Sequence, residues 1–224
     1  MKQPLLIKPT PWDTAAFCMP TWELLEYSEA ALKESAKIRG HYTIKVNPLT
    51  DKRLLHENEF YYCDTLTEPY CDVARLRPVY HPDASISKTI DRNLVLSLCH
   101  GAFTHGRFHR DFNLTRATAD HRYDNWLAQL IDQQQVYGLY WQERLAGFIG
   151  YNGNSLVLHA LAEEYRGKSL SKYWWSTVCC ELLDSGHREI KSSISASNVA
   201  VFNLYASLGF CFKNPVDIYH RFVD

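Results

Sequence analysis

The 224-residue sequence contains no long apolar run; no stretch approaches the roughly 20 residues that a membrane-spanning helix needs. A basic-then-apolar secretory leader is also absent, because Pro4, Pro9 and Pro11 break up the N-terminal region. Neither sign of charge is in excess. With 24 basic and 25 acidic residues there is no electrostatic footprint for nucleic acid. Zinc-knuckle spacing is missing as well: Cys18, Cys63, Cys71, Cys99, Cys179, Cys180 and Cys211 include no pair separated by two residues. Odd in number, they read as reduced, mostly buried thiols. His100, His105 and His109 are spaced by Gly101 and Gly106, which argue for a helix end and a loop, so hydrogen bonding or substrate contact is expected of them rather than metal ligation. The expectation is a cytoplasmic protein with no nucleic-acid partner, no membrane and no metal.

What is present suits an enzyme. An apolar fraction of 46% is ample for a core, and the length fits one domain plus a smaller companion. The join is expected near Arg77-Pro78, giving domains 1–77 and 78–224. In the front section Trp22 to Ala36 has helical composition, His41 to Val46 alternates like a strand, Lys52 to Asn58 reads as helix, and Phe60 to Leu66 as strand. Asn47 precedes Phe60 by 13 residues, and Asn198 precedes Phe210 by 12, each pair framing a short helix. This faint echo suggests a partial second copy of one strand–helix–strand unit.

The back section starts with a helix at about Ile90 to His100, the loop Gly106-Arg107-Phe108-His109, and a helix from Thr118 to Gln133. Val136 to Tyr140 and Arg144 to Tyr151 form a hairpin-like pair, followed by a strand from Ser155 to Leu161. The turn Tyr165-Arg166-Gly167-Lys168-Ser169-Leu170-Ser171 then opens a helix to about Ser185. Leu170, Tyr173, Trp174, Thr177, Val178 and Leu182 share one face of it. Unpaired N–H groups and the helix dipole make such a turn an anion site, and Arg166 and Lys168 add formal charge. Glu189 to Ala196 reads as strand. Asn198 is a helix N-cap before the stripe Val201, Leu204, Tyr205 and Leu208; Phe210 to Phe212 starts another strand, and Ile218 to Val223 forms the last.

This order of elements resembles the acetyl-CoA-binding core of the GNAT superfamily of N-acetyltransferases. The implied fold class is α/β: a mixed central sheet flanked by helices, preceded by a partial GNAT-like domain. The likeness narrows to the dTDP-fucosamine acetyltransferase family through the segment Phe60 to Thr65, the Gly106–His109 loop, the helix with Trp126 and the Asn198…Tyr205 helix. That family acetylates the amino group of a dTDP-linked 4-amino-4,6-dideoxyhexose and carries a truncated domain, here 1–77, that contributes to the acceptor site. The resemblance implies acetyl-CoA held by His159, Ala160 and Leu161, by the turn Arg166, Gly167, Lys168, Ser169, Leu170 and Ser171, and by Asn198, with no metal. It departs from the family where Ser169 and Ser171 stand in place of the usual glycines.

The departing thiolate needs a proton donor, and a tyrosine, with a reference pKa of about 10, suits it. The resemblance puts Tyr205 in that role. The apolar stripe alone would make Tyr205 a core residue. Asp64 matches the family's acidic residue at the acceptor site and is the expected base, although an aspartate ending a strand is commonly a turn or capping residue. Arg107 and His109 are expected at the sugar-nucleotide diphosphate, with pairing of Arg107 to Asp111 as the alternative. The partner is then a small-molecule nucleotide sugar, and a homodimer is compatible with the reading. Two other readings stay open: a GNAT enzyme for a different acceptor (polyamine, small molecule or protein N-terminus), and a catalytically idle GNAT-like binding domain.

Overall fold

The computed structural model describes residues 5–224. The front of the chain runs β1 (Ile7–Pro9), α1 (Pro11–Phe17), β2 (Thr21–Leu24), α2 (Glu29–Ser35), β3 (Gly40–Val46), α3 (Arg53–Glu57) and β4 (Tyr61–Asp72). Then come β5 (Ala84–Ser87), α4 (Arg92–Cys99), α5 (Arg116–Asp132), β6 (Val136–Trp141), β7 (Arg144–Asn152) and β8 (Ser155–Leu161). A 3₁₀ turn at Glu163–Tyr165 leads into α6 (Ser171–Asp184), β9 (Glu189–Ser192), β10 (Ile194–Ser195), α7 (Val199–Ser207) and β11 (Cys211–Val223). No helix among the described residues is long and apolar enough to cross a membrane.

Two compact units divide the described residues, the first from 5–66, 104–122 and 215–224, the second from 67–103 and 123–214. A single cut at 77/78 does not describe them, because the long strands β4 and β11 and the helix α5 each contribute residues to both units.

In the first unit β1 pairs antiparallel with β2, β2 parallel with β3, and β3 antiparallel with β11 from Gly40↔Val223 to Val46↔Asp217. Leu32, Tyr42, Ile44, Leu55 and Phe60 form its fully buried centre. Strand β3 is buried on both faces except at Lys45, so its polar residues His41 and Thr43 lie inside. A buried imidazole needs a partner, and His41 finds one in Asp111. The stretch Trp22 to Ala36 is not one helix. Its first residues pair in β2, and α2 begins only where Ser28 caps it, the Ser28 hydroxyl accepting from the Ala31 N–H at 3.2 Å.

The second unit contains the ladder β9-β8-β7-β6-β5, with β4 beside β9. All its neighbours are antiparallel except β8 and β9. Two apolar clusters fill it. One gathers Trp174, Trp175, Val178 and Cys179 of α6 with Tyr205 of α7; the other gathers Val95 and Cys99 of α4 with Leu127 and Leu130 of α5. Helix α6 therefore buries Trp175 and Cys179 in addition to Trp174, Val178 and Leu182, while Tyr173 and Thr177 lie at the margin. The C-terminal strands expected at Phe210 and at Ile218 are one, β11, which continues through Asn214, with φ of 52°, and Pro215.

Of two ladder irregularities in the unit, at Leu139/Tyr140 and at Gly150/Tyr151, the second bears on the site. In the β7–β8 ladder Gly150 faces Leu158 but Tyr151 faces Leu156, so Val157 has no partner and forms a bulge. Leu156 consequently joins the α6/α7 cluster and Leu158 the α4/α5 cluster, although regular alternation would place both on one face.

Candidate functional site

Strands β8 and β9 run parallel but are registered only at Ser155↔Lys191 and Leu156↔Ser192. Beyond that point, where the bulge lies, Val157 to Leu161 have no partner on β9. The backbone edge of His159, Ala160 and Leu161 is thus open on one side while β7 holds the other. Ser192 ends β9, and its hydroxyl donates to the Leu156 carbonyl at 2.7 Å.

After the bulge His159 turns toward α6 and α7. Its ring meets Trp175 edge-on, with centroids 5.0 Å apart, and Tyr205 at 6.3 Å. Burial lowers its pKa to about 4, which keeps the imidazole neutral. Tyr205 is fully buried, packed edge-on against Phe210 at 4.8 Å, and its hydroxyl has no hydrogen-bond partner. Burial raises its pKa well above that of a free phenol. Ser192 and Trp175 act in the opposite direction on its ionisation, yet neither reaches hydrogen-bond geometry with the phenol oxygen. The Trp175 indole N–H is likewise without a partner. A buried polar group left unsatisfied costs about 1–3 kcal/mol, so two of them on α6 and α7 in one unit call for an explanation.

The turn before α6 leaves its backbone exposed. Gly167 and Ser169 have φ of 71° and 57°, and Arg166 to Ser169 are exposed. Leu170 is the N-cap residue and supplies no side-chain cap, so the first N–H groups of α6 are left to another acceptor. The Arg166 Nε donates to the Leu161 carbonyl at 2.8 Å, tying the turn to the open end of β8. Lys168 is exposed beside it. Asn198 acts as the N-cap of α7, its Oδ1 accepting from the Val201 N–H at 3.3 Å.

The remaining expected residues lie in the first unit. Asp64 is buried inside β4 rather than at a strand end, and its Oδ1 accepts from Arg110 Nη1 and from the Thr65 N–H, both at 2.9 Å. His109 turns inward: its Nε2 bonds Asp120 at 2.9 Å with only 4% of the side chain exposed, which removes it from any ligand surface. Arg107 is half-buried with its guanidinium over the Phe108 ring, 4.6 Å from the centroid. It does not pair with Asp111, which instead takes His41 and His220. His100 bonds Asp124, and His105 is exposed. Sequence reasoning passed over Trp175 and Ser192, which flank Tyr205, and no local motif marks either one.

No family model matches the sequence, and no curated protein matches it. Solved structures do. A GCN5-related N-acetyltransferase from Sphaerobacter thermophilus superposes with a TM-score of 0.67 at 9% identity, covering 96% of this chain and 76% of that one. An acetyltransferase of the GNAT family from Colwellia psychrerythraea gives 0.58 at 13% identity, over 89% of this chain and 77% of that one. A tandem GNAT protein from the clavulanic acid biosynthesis pathway, solved without acetyl-CoA, gives 0.54 at 13% identity, over 90% of this chain and 75% of that one. At these identities the likeness is one of fold: a mixed sheet flanked by helices, the GNAT fold.

Proposed function

We propose that this protein is an acetyl-CoA-dependent N-acetyltransferase acting on the amino group of a nucleotide-linked, dTDP-type 4-amino-4,6-dideoxy sugar. The observation that carries the acetyltransferase reading is the parting of β8 and β9 at Leu156, in the unit where the buried phenol of Tyr205 lacks a partner. The pantetheine arm pairs with the open edge of β8, and the pyrophosphate takes the Arg166–Ser171 turn. The Leu161 N–H polarises the acetyl carbonyl. The amine nitrogen attacks that carbon, the C–S bond breaks, and Tyr205 gives its proton to the departing sulfur. Burial raises the phenol's pKa, which keeps Tyr205 protonated near neutral pH while making it a weaker acid than a free phenol. The assignment of Asp64 as acceptor of the proton lost by the amine rests on the sequence resemblance alone.

The sugar acceptor and the truncated first copy rest on the sequence resemblance. In support of the copy, β3–α3–β4 repeats the strand–helix–strand order of β9/β10–α7–β11. A second reading, an idle binding domain, draws on Ser169, which holds a positive φ where glycine would be unstrained. The deciding experiment has two arms. Acetyl-CoA should raise the melting temperature by mass action, and free thiol should be released with a dTDP-amino sugar but not with polyamines or peptides. Stabilisation without thiol release for any acceptor would favour the idle domain, and no stabilisation would remove both readings.

A further inference from the structure

A separate group of side chains in the first unit has no role in the acetyl transfer proposed above. His41 on β3 and His220 on β11 stand 70 and 109 positions from Asp111, which lies in the loop before α5. His41 Nε2 and His220 Nδ1 each approach the same oxygen, Asp111 Oδ2, at 2.7 Å. The three residues are 1%, 0% and 2% exposed. Their ligand-type atoms all fall within 4.8 Å of one another, and no other such group occurs among the described residues.

The two oxygens of Asp111 have different duties. Oδ1 accepts from the Tyr61 hydroxyl at 2.9 Å and from the Asn113 N–H at 2.8 Å, whereas Oδ2 faces imidazoles. A monodentate carboxylate ligand is arranged this way, one oxygen on the metal and the other fixed by outer hydrogen bonds. Aromatic rings brace the imidazoles: Phe108 stacks on His220 at 5.6 Å, and Phe17 meets His41 edge-on at 5.8 Å. His220 Nε2 is buried without a partner, and it stays so whether Nδ1 meets the carboxylate or a metal.

We propose that His41, Asp111 and His220 form a site for a divalent first-row transition metal, zinc foremost, with water completing the coordination. Two imidazoles and one carboxylate suit that class of ion. On loading, each neutral ring turns its lone pair to the metal and carries its proton on the other nitrogen, which for His220 is the stranded Nε2. Bonds of about 2.0–2.1 Å in a tetrahedral site space ligand atoms by roughly 3.3 Å, so the rings draw back slightly from Oδ2.

The test uses the full chain, tag removed and purified without chelator. About one equivalent of zinc is expected by elemental analysis. After stripping, Co²⁺ should give visible d–d bands, and Zn²⁺ should raise the melting temperature. Tyr61→Phe, which removes the outer hydrogen bond to Asp111 Oδ1 and the one accepted from Asn113 Nδ2, should weaken affinity roughly tenfold or more, and His220→Gln should abolish it. The exposed-site control His105→Gln should leave it unchanged. Absence of both d–d bands and thermal shift in the unaltered chain overturns the proposal, whether or not His220→Gln folds. Metal uptake that is indifferent to both Tyr61→Phe and His220→Gln overturns it too, by placing the ion elsewhere.

Discussion

Tyr205 and His159 meet edge to face, ring centroids 6.3 Å apart and planes at 63°, so a protonated phenol and a neutral, half-buried imidazole share one wall beside the open edge of β8. Neither ring carries charge near neutral pH. The wall can therefore receive an uncharged acyl thioester without an unbalanced ion facing it.

Removing the phenol oxygen in Tyr205→Phe leaves the packing against Phe210 and Trp175 in place. Turnover should fall by roughly 10²–10⁴-fold, the usual effect of losing a general acid. Because the hydroxyl is buried without a partner, stability should hold or rise by up to about 1 kcal/mol. Steady-state kinetics with thermal melting separates this from a packing role, which predicts retained turnover.

Folding stability should weaken in mild acid through His159. The folded ring takes its proton only near pH 4, against 6.5 for the unpacked side chain, so between those values the unfolded chain binds more protons. Stability is then fully present above about pH 6.5 and is lost as the pH falls toward 4, by on the order of 2–3 kcal/mol. Urea titrations at pH 7.5, 5.5 and 4.5 measure the slope. His159→Leu should lessen it, leaving the part that His220, also held neutral by burial, contributes in the same direction, and an unchanged slope in that variant would assign it to other groups.

Lys168→Ala should weaken acetyl-CoA binding more at low than at high salt, since Lys168 is exposed and acts only through charge. Arg166→Ala should weaken it with less dependence on salt, because Arg166 also holds the Leu161 carbonyl at 2.8 Å. Calorimetric titration at two ionic strengths distinguishes them. Equal affinity for both variants and the unaltered chain would mean that the pyrophosphate binds elsewhere.

Ser169→Gly relieves a left-handed backbone conformation that an L side chain adopts at a cost of about 1–2 kcal/mol, partly offset by the greater freedom of glycine when unfolded. A net gain of up to about 1 kcal/mol is expected, with acetyl-CoA affinity equal or higher. Melting curves with and without acetyl-CoA check both.

The elements around Tyr205 were legible because they are local. The Ser155–Leu161 strand, the apolar stripe of α6 and the Asn198 cap each announce themselves within a dozen residues. Composition misled at Trp22 to Ala36, where helix-favouring residues precede the Ser28 cap but pair in β2 instead. Asn214 and Pro215 look like a break, yet β11 absorbs them as one strand. The cluster of His41, Asp111 and His220 had no signature to read, since its members are joined only by the pairing of β3 with β11 and by the loop before α5. Attention fell instead on His100, His105 and His109, which are close in sequence and engaged separately or exposed in space.

The extra residue at Val157 uncouples two properties that a regular strand would tie together. Excising it would leave Leu158, His159 and Leu161 facing as they do now, because the residue after Leu156 already points the opposite way. What would change is the edge: a straightened β8 could zip onto β9 past Ser192 and close the gap. On the proposed function, the side chains that would meet acetyl-CoA are set at positions 159 and 205, while its admission is set at 157. A chain shortened there should keep its chemistry in place and lose its doorway.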